Sequence, residues 1–152
     1  ERINSELLDT GLGKHVTVFV GIISTTERTL SYAVGAHFPM PILSFEDGET
    51  RFLEGSGLPV GLFETPEWEL YQVKLDRPFR LLLFSDGLLE VIPAKSLDEK
   101  ENRLLELVSG GSHTIASLSD ALGLGKISEL PDDIAIVSVT DTINGSDNTS
   151  ST

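Results

Sequence analysis

The sequence predicts an α+β domain whose strands are largely antiparallel. Three observations carry this. Short β-branched or apolar runs come first, separated by turn signals. Two segments with helical spacing of apolar residues follow. One last apolar run, Ile134-Ala135-Ile136-Val137-Ser138-Val139, closes the pattern. Strands, then helices, then a strand is an α+β order rather than an alternating α/β one.

Ile3 to Leu8 reads as the end of a helix, stopped by Gly11 and Gly13. An opening in mid-helix is the expectation for a fragment of a larger domain. Val16 to Ile23 and Thr29 to Val34 are strand-like, with Thr25-Thr26-Glu27-Arg28 as the turn between them. Pro41 to Phe45 and Thr50 to Leu53 flank Glu46-Asp47-Gly48-Glu49, and Asp-Gly between apolar runs predicts a hairpin. Trp68 to Leu75 alternates and reads as a strand. Phe79 to Phe84 is expected to pair with it across the short Asp76-Arg77-Pro78 link. Leu97 to Val108 places Leu97, Leu104, Leu105 and Val108 at helical spacing, and Gly110-Gly111 breaks the run. Ser112 is the expected cap of a helix from about Thr114 to Leu122, ended by Gly123. Residues 1–140 form the expected folded unit, and the polar stretch 141–152 is expected to be a disordered tail.

Composition narrows the function. The 152 residues suit one domain with a sizeable core. Net charge is −13, and residues 1–76 carry 5 basic against 12 acidic residues while residues 77–152 carry 6 against 12. No basic stripe is left to meet phosphate, so neither nucleic acid nor an anionic membrane surface is an expected partner. No apolar run approaches a membrane span, and Glu1-Arg2-Ile3-Asn4 is not the start of a signal peptide. The absence of Cys excludes disulfides and thiolate sites and fits a cytoplasmic protein.

The chemistry concentrates at two places. Arg80-Leu81-Leu82-Leu83-Phe84 is an apolar run that ends in Ser85-Asp86-Gly87, which sets the Asp86 carboxylate at a strand end. Pro131-Asp132-Asp133 precedes the last apolar run, which sets two carboxylates at a strand start. Carboxylates meeting at one rim of a sheet would suit a hard divalent cation. Each motif alone also reads as ordinary turn chemistry. Gly57-Leu58-Pro59-Val60-Gly61 reads as a structural turn, because it lacks the Lys and following helix of a phosphate-binding loop. His37 reads as a loop histidine satisfied by backbone, with a base or ligand role as the sharper alternative. No Gly-x-Ser-x-Gly elbow appears, and no thiol nucleophile is present.

The order of these segments resembles the SpoIIE and RsbU group, bacterial metal-dependent protein phosphatases of the 2C-like superfamily. The resemblance rests on the Ser85-Asp86-Gly87 strand end, the Asp132-Asp133-Ile134 strand start, the Gly57–Gly61 loop and the Gly35-Ala36-His37-Phe38-Pro39 turn. It covers about residues 1–140 and is nearest to the C-terminal domain of RssB-type response regulators. It implies an α-β-β-α four-layer sandwich of the 2C-like type, here lacking the N-terminal strands. It implies Asp86 and Asp132 as metal ligands, Asp133 beside them, and a two-metal site of Mn2+ or Mg2+ in the complete domain. The family's upstream Gly-Asp and Asp-x-x-Gly carboxylates are not among these residues, so the resemblance implies a weak or empty site and negligible phosphatase activity for this chain alone.

The function so implied is the output domain of a response regulator in stress sigma-factor control. The domain would hydrolyse phosphoserine or phosphothreonine on a small regulatory protein such as an anti-sigma-factor antagonist, under an N-terminal receiver domain. The alternative is a catalytically degenerate adaptor that binds a sigma factor or its regulators. Missing first strands also predict an exposed sheet edge and self-association into a homo-oligomer.

Overall fold

The computed structural model describes residues 2–110, 114–126 and 132–141. Helix α1 spans Arg2–Asp9 and leads into strands β1 (Val18–Ser24) and β2 (Thr29–Gly35). Strands β3 (Ile42–Phe45) and β4 (Thr50–Phe52) form the hairpin around Asp47-Gly48, where Gly48 takes φ +94°. Strands β5 (Tyr71–Lys74) and β6 (Phe79–Phe84) precede helices α2 (Gly87–Val91), α3 (Leu97–Ser109) and α4 (Ile115–Ala121). A short 3-10 turn at Leu124–Lys126 and strand β7 (Ile136–Thr140) complete the described fold. No helix among the described residues is long and apolar enough to cross a membrane.

Two antiparallel sheets stack, one ordered β1-β2-β5 and the other β4-β3-β6-β7. Strand alternation divides the apolar residues of β6 between two cores. Phe79 and Leu81 face the first sheet, where they join Leu30, Tyr32, Val34, Leu43 and Phe45. Leu82 and Phe84 face the other way and pack with Ile42, Leu88, Leu104, Val108 and Leu118 under α2, α3 and α4. The layers therefore run α1, sheet, sheet, helices. The inner sheet is covered on both faces, which is why β6 reads as a continuous apolar run. The outer face of the first sheet is thinly covered: Ile3 of α1 shares a cavity of about 280 Å³ with Val18, Val20 and Ala33. On β1, the edge strand, Val20 and Ile22 are 56% and 72% exposed.

The expected β5–β6 pairing does not form. Strand β5 pairs with β2 through Leu30↔Val73, and β6 pairs with β3 and β7. The link Asp76-Arg77-Pro78 crosses between the sheets instead of turning a hairpin. Pro78 has no N–H for a ladder. The Arg77 guanidinium reaches across to Asp47 and Glu49 at the β3–β4 turn and lies 4.1 Å from the centroid of the Phe45 ring. A strand as apolar on both faces as β6 needs a neighbour on each side and cover above and below. The half-exposed β5 suits a sheet edge.

Other differences are local. The Trp68–Leu75 run is a strand only over Tyr71–Lys74, because Trp68 turns its indole N–H to the Leu58 carbonyl at 2.8 Å. Helix α4 is capped by Thr114, whose side chain accepts from the Ser117 N–H in a capping box. The expected cap, Ser112, lies outside the described residues, as do residues 142–152 of the expected tail. Asp141 is tied down: its N–H donates to Phe79 O at 2.9 Å, and its carboxylate pairs with Arg28 at 2.7 Å. Helix α2 was not foreseen from the sequence.

Candidate metal centre

Strand β6 delivers Asp86 to the rim of the inner sheet, and β7 starts from the same rim. The two strands run antiparallel with Phe84 opposite Ile136, so the end of one must meet the start of the other. Pairing continues past the strands. Ser85 N–H donates to Ala135 O at 3.0 Å, and Ala135 N–H donates to Ser85 Oγ at 2.8 Å. Ser85 Oγ in turn donates to Asp133 O at 3.0 Å. One serine thus fastens the backbone on which Asp132 and Asp133 stand.

Gly87 brings the two stretches closer still. A Cβ at this position would lie 2.5 Å from Asp133 O and 3.2 Å from Asp132 Cβ, so only hydrogen fits. The Ser-Asp-Gly strand end therefore needs its glycine for close approach rather than for a turn alone. Asp86 caps α2, its Oδ1 accepting from the Gly87 N–H at 3.2 Å. Asp132 Oδ1 accepts from the Asp133 N–H at 2.8 Å. All three carboxylates are solvent-exposed at one rim.

Beside the rim, between the sheets, is a cavity of about 360 Å³ lined by Thr17, His37, Ser85, Asp86 and Ala135 together with apolar side chains. His37 follows β2. Its Nε2 is buried and has no hydrogen-bond partner among the described residues, which departs from the backbone-satisfied histidine expected from the sequence. Burial pushes the imidazole below its ordinary pKa, and the facing Asp86 carboxylate draws it back upward. The sequence signal for this placement was the Gly35–Pro39 turn, but nothing in it told of the neighbour 49 positions on.

The Gly57–Gly61 loop is structural, as expected. A Cβ on Gly57 would lie 1.9 Å from Val34 O, and Gly57 O accepts from Ala36 N–H at 2.8 Å. Gly61, at φ +90°, donates its N–H to the buried Asn4 side chain at 2.7 Å, tying α1 to the sheet.

Carboxylate oxygens are the donors a hard divalent cation takes, so Asp86, Asp132 and Asp133 fit Mn2+ or Mg2+ in kind. They do not complete a site in number. The described residues hold no group of three His, Cys, Asp or Glu side chains placed to share one ion.

The comparisons agree with this architecture. A family model described as Stage II sporulation protein E (SpoIIE) matches residues 1–140. Comparison with curated protein sequences gave no match. Among solved structures, the RsbU and RsbW domains of a Mycobacterium tuberculosis protein superpose with a TM-score of 0.71 at 24% identity, over 89% of this chain and 38% of that one. The SiaA PP2C domain of Pseudomonas aeruginosa gives a TM-score of 0.68 at 17% identity, over 91% and 58%. The phosphatase domain of SpoIIE from Bacillus subtilis gives 0.65 at 12% identity, over 95% and 74%. The SpoIIE phosphatase domain was also solved after presoaking with Mn, and RsbX, another match, in complex with magnesium. At these identities the likeness is one of fold, and the chain spans 38–74% of these three structures. With 140 of its 152 residues under the family model and the fold of PP2C-type phosphatase domains, the chain belongs to the SpoIIE family.

Proposed function

We propose that this chain is the part of a metal-dependent protein serine/threonine phosphatase domain that supplies two of its metal-binding carboxylates, Asp86 and Asp132. The observation that carries the reading is the convergence of β6 and β7 at one rim, with Gly87 against Asp132 and Asp133. Asp133 stands next to the pair and shapes it, its N–H held by the Asp132 carboxylate. Bound Mn2+ or Mg2+ would supply an activated water and neutralise charge on a phosphoryl group. The chain's own part is to hold the two carboxylates on rigid backbone at one rim, with the His37 cavity on one flank of the site. Two carboxylates hold a divalent ion weakly, so the chain alone is expected to turn over a phosphoserine peptide negligibly even in excess Mn2+.

The substrate class that fits the family is a phosphoserine or phosphothreonine on a small regulatory protein, such as an anti-sigma-factor antagonist. The resemblance to RssB-type proteins supports a place in the cytoplasm, downstream of a receiver domain in a response regulator. The exposed β1 edge supports self-association of the isolated chain.

One observation favours a second reading. The net charge of −13 suits a degenerate domain that binds a basic surface of a sigma factor or its regulators without hydrolysis. Phosphate release from a phosphoserine peptide separates the two when measured on the full-length protein that carries this chain. Turnover that needs Mn2+ and is lost in Asp86→Asn supports the phosphatase. A full-length protein that binds its partner but releases no phosphate supports the adaptor.

A further inference from the structure

We infer that the surface around Trp68 is a docking site for a basic, apolar-anchored segment of a partner protein. Neither Asp86 nor Asp132 lines this surface, so it holds under either reading of the function. Its first property is exposed apolar area. Leu58, Leu62, Phe63 and Leu70 are between 42% and 74% exposed. Apolar side chains left in water and rimmed by polar groups mark interaction sites. Two open grooves share Trp68 and Glu67 as a wall. One, of about 670 Å³, adds Leu58 and Glu69, and the other, of about 350 Å³, adds Glu64.

The loop holds this shape on its own. The Trp68 indole N–H donates to Leu58 O at 2.8 Å, and Gly57 bridges to Trp68 as in an antiparallel ladder. The buried Asn4 side chain accepts the Gly61 N–H at 2.7 Å and donates to Phe63 O at 3.0 Å. A surface already fixed in place loses little freedom when a partner arrives, and Trp is a frequent anchor in interfaces. Charge names the occupant. From Phe52 to Val73 the chain carries Glu54, Glu64, Glu67 and Glu69 and no Lys, Arg or His. Glu64, Glu67 and Glu69 are exposed on the walls of the two grooves. Apolar grooves rimmed by carboxylates fit a segment whose apolar side chains alternate with Lys or Arg. A second copy of this chain fits poorly, because it carries a net charge of −13 itself.

Trp68 is the one Trp of the chain, so its emission reports binding at this surface directly. The probe is a short synthetic Lys/Leu peptide, titrated into the intact chain at low and at high salt, with a Lys/Gln peptide as its apolar-free counterpart. We expect the Lys/Leu peptide to move the Trp68 emission to the blue, more weakly at high salt, and the Lys/Gln peptide to leave it in place. Removing the three groove carboxylates in Glu64→Gln/Glu67→Gln/Glu69→Gln should weaken binding about 10-fold. Glu69→Gln keeps an acceptor for the Tyr71 hydroxyl, so the loop keeps that tie. Asp98→Asn/Glu106→Gln/Asp120→Asn removes the same charge from exposed positions on α3 and α4 and should leave affinity unchanged. Equal weakening in the two triple variants overturns the inference, since binding is then to diffuse charge. Equal response to the Lys/Gln peptide overturns it too, because no apolar anchor is used. So does an emission that ignores both peptides. An emission that moves with protein concentration alone assigns the surface to a second copy and overturns the basic partner.

Discussion

Ser85 Oγ donates to the carbonyl oxygen of Asp133 at 3.0 Å while accepting the Ala135 N–H at 2.8 Å. This one hydroxyl joins the end of β6 to the start of β7 and sets where Asp86 stands relative to Asp132. Ser85→Ala is expected to cost about 0.5–1.5 kcal/mol, the net worth of hydrogen bonds whose exposed backbone partners can turn to water. Urea unfolding measures the loss. Mn2+ titration of the same variant is expected to weaken, because the rim is no longer fastened. A variant as stable as wild type would remove the hydroxyl from the account of the rim.

Gly87 makes the closest approach in that rim. A methyl group there would press on backbone 2.5 Å away, which cannot swing aside as a side chain could. Gly87→Ala is expected to destabilise by about 1–3 kcal/mol, as overpacking of well-packed sites does. The amide signals of Asp132 to Ala135 should shift in NMR spectra, and signals that stay in place would contradict the contact.

The core beneath the helices is expected to be the more sensitive part of the fold. Leu104 is 0% exposed among Ile42, Phe84, Leu88 and Leu118. Leu104→Ala should cost about 2–5 kcal/mol. Ile22, on the outer edge strand, is 72% exposed, and Ile22→Thr should stay within about 0.5 kcal/mol. Thermal melts of the two variants, measured together, check the contrast.

Acid should weaken the fold in part through His37. Burial lowers its pKa in the folded chain below the ordinary 6.5, so the unfolded chain binds the proton more readily. The stability this contributes is complete above about pH 6.5 and is lost as pH falls through that value toward the lower folded one. The melting temperature should therefore drop less between pH 7.5 and 5.5 in His37→Gln than in wild type. Equal drops would show that His37 is not buried as described.

Much of the architecture was legible in the sequence because it rests on local rules. The Asp47-Gly48 hairpin, the helical spacing of α3 and the two-faced apolar β6 each announce themselves within a dozen residues. Strand partners beyond these local turns did not. The β5–β6 link looked like a hairpin turn, but Pro78 and the Arg77 ion pairs decide otherwise, and those partners lie some 30 residues away. Helix α2 is five residues long, shorter than any periodicity can reveal, and depends on Asp86 as its cap. The site was half legible. Apolar strands ending or starting at carboxylates pointed to Asp86, Asp132 and Asp133. That His37 and Asp86 line one cavity comes from sheet packing, which no spacing in the chain encodes.

The central claim is that Asp86 and Asp132 share one cation. Paramagnetic broadening by substoichiometric Mn2+, read residue by residue in 15N NMR spectra of this chain, tests it most directly. The account predicts that amides of Ser85 to Leu88 and of Asp132 to Ala135 broaden together, and that Asp86→Asn removes both effects. Broadening centred elsewhere on this acidic surface, with neither stretch affected, would contradict it.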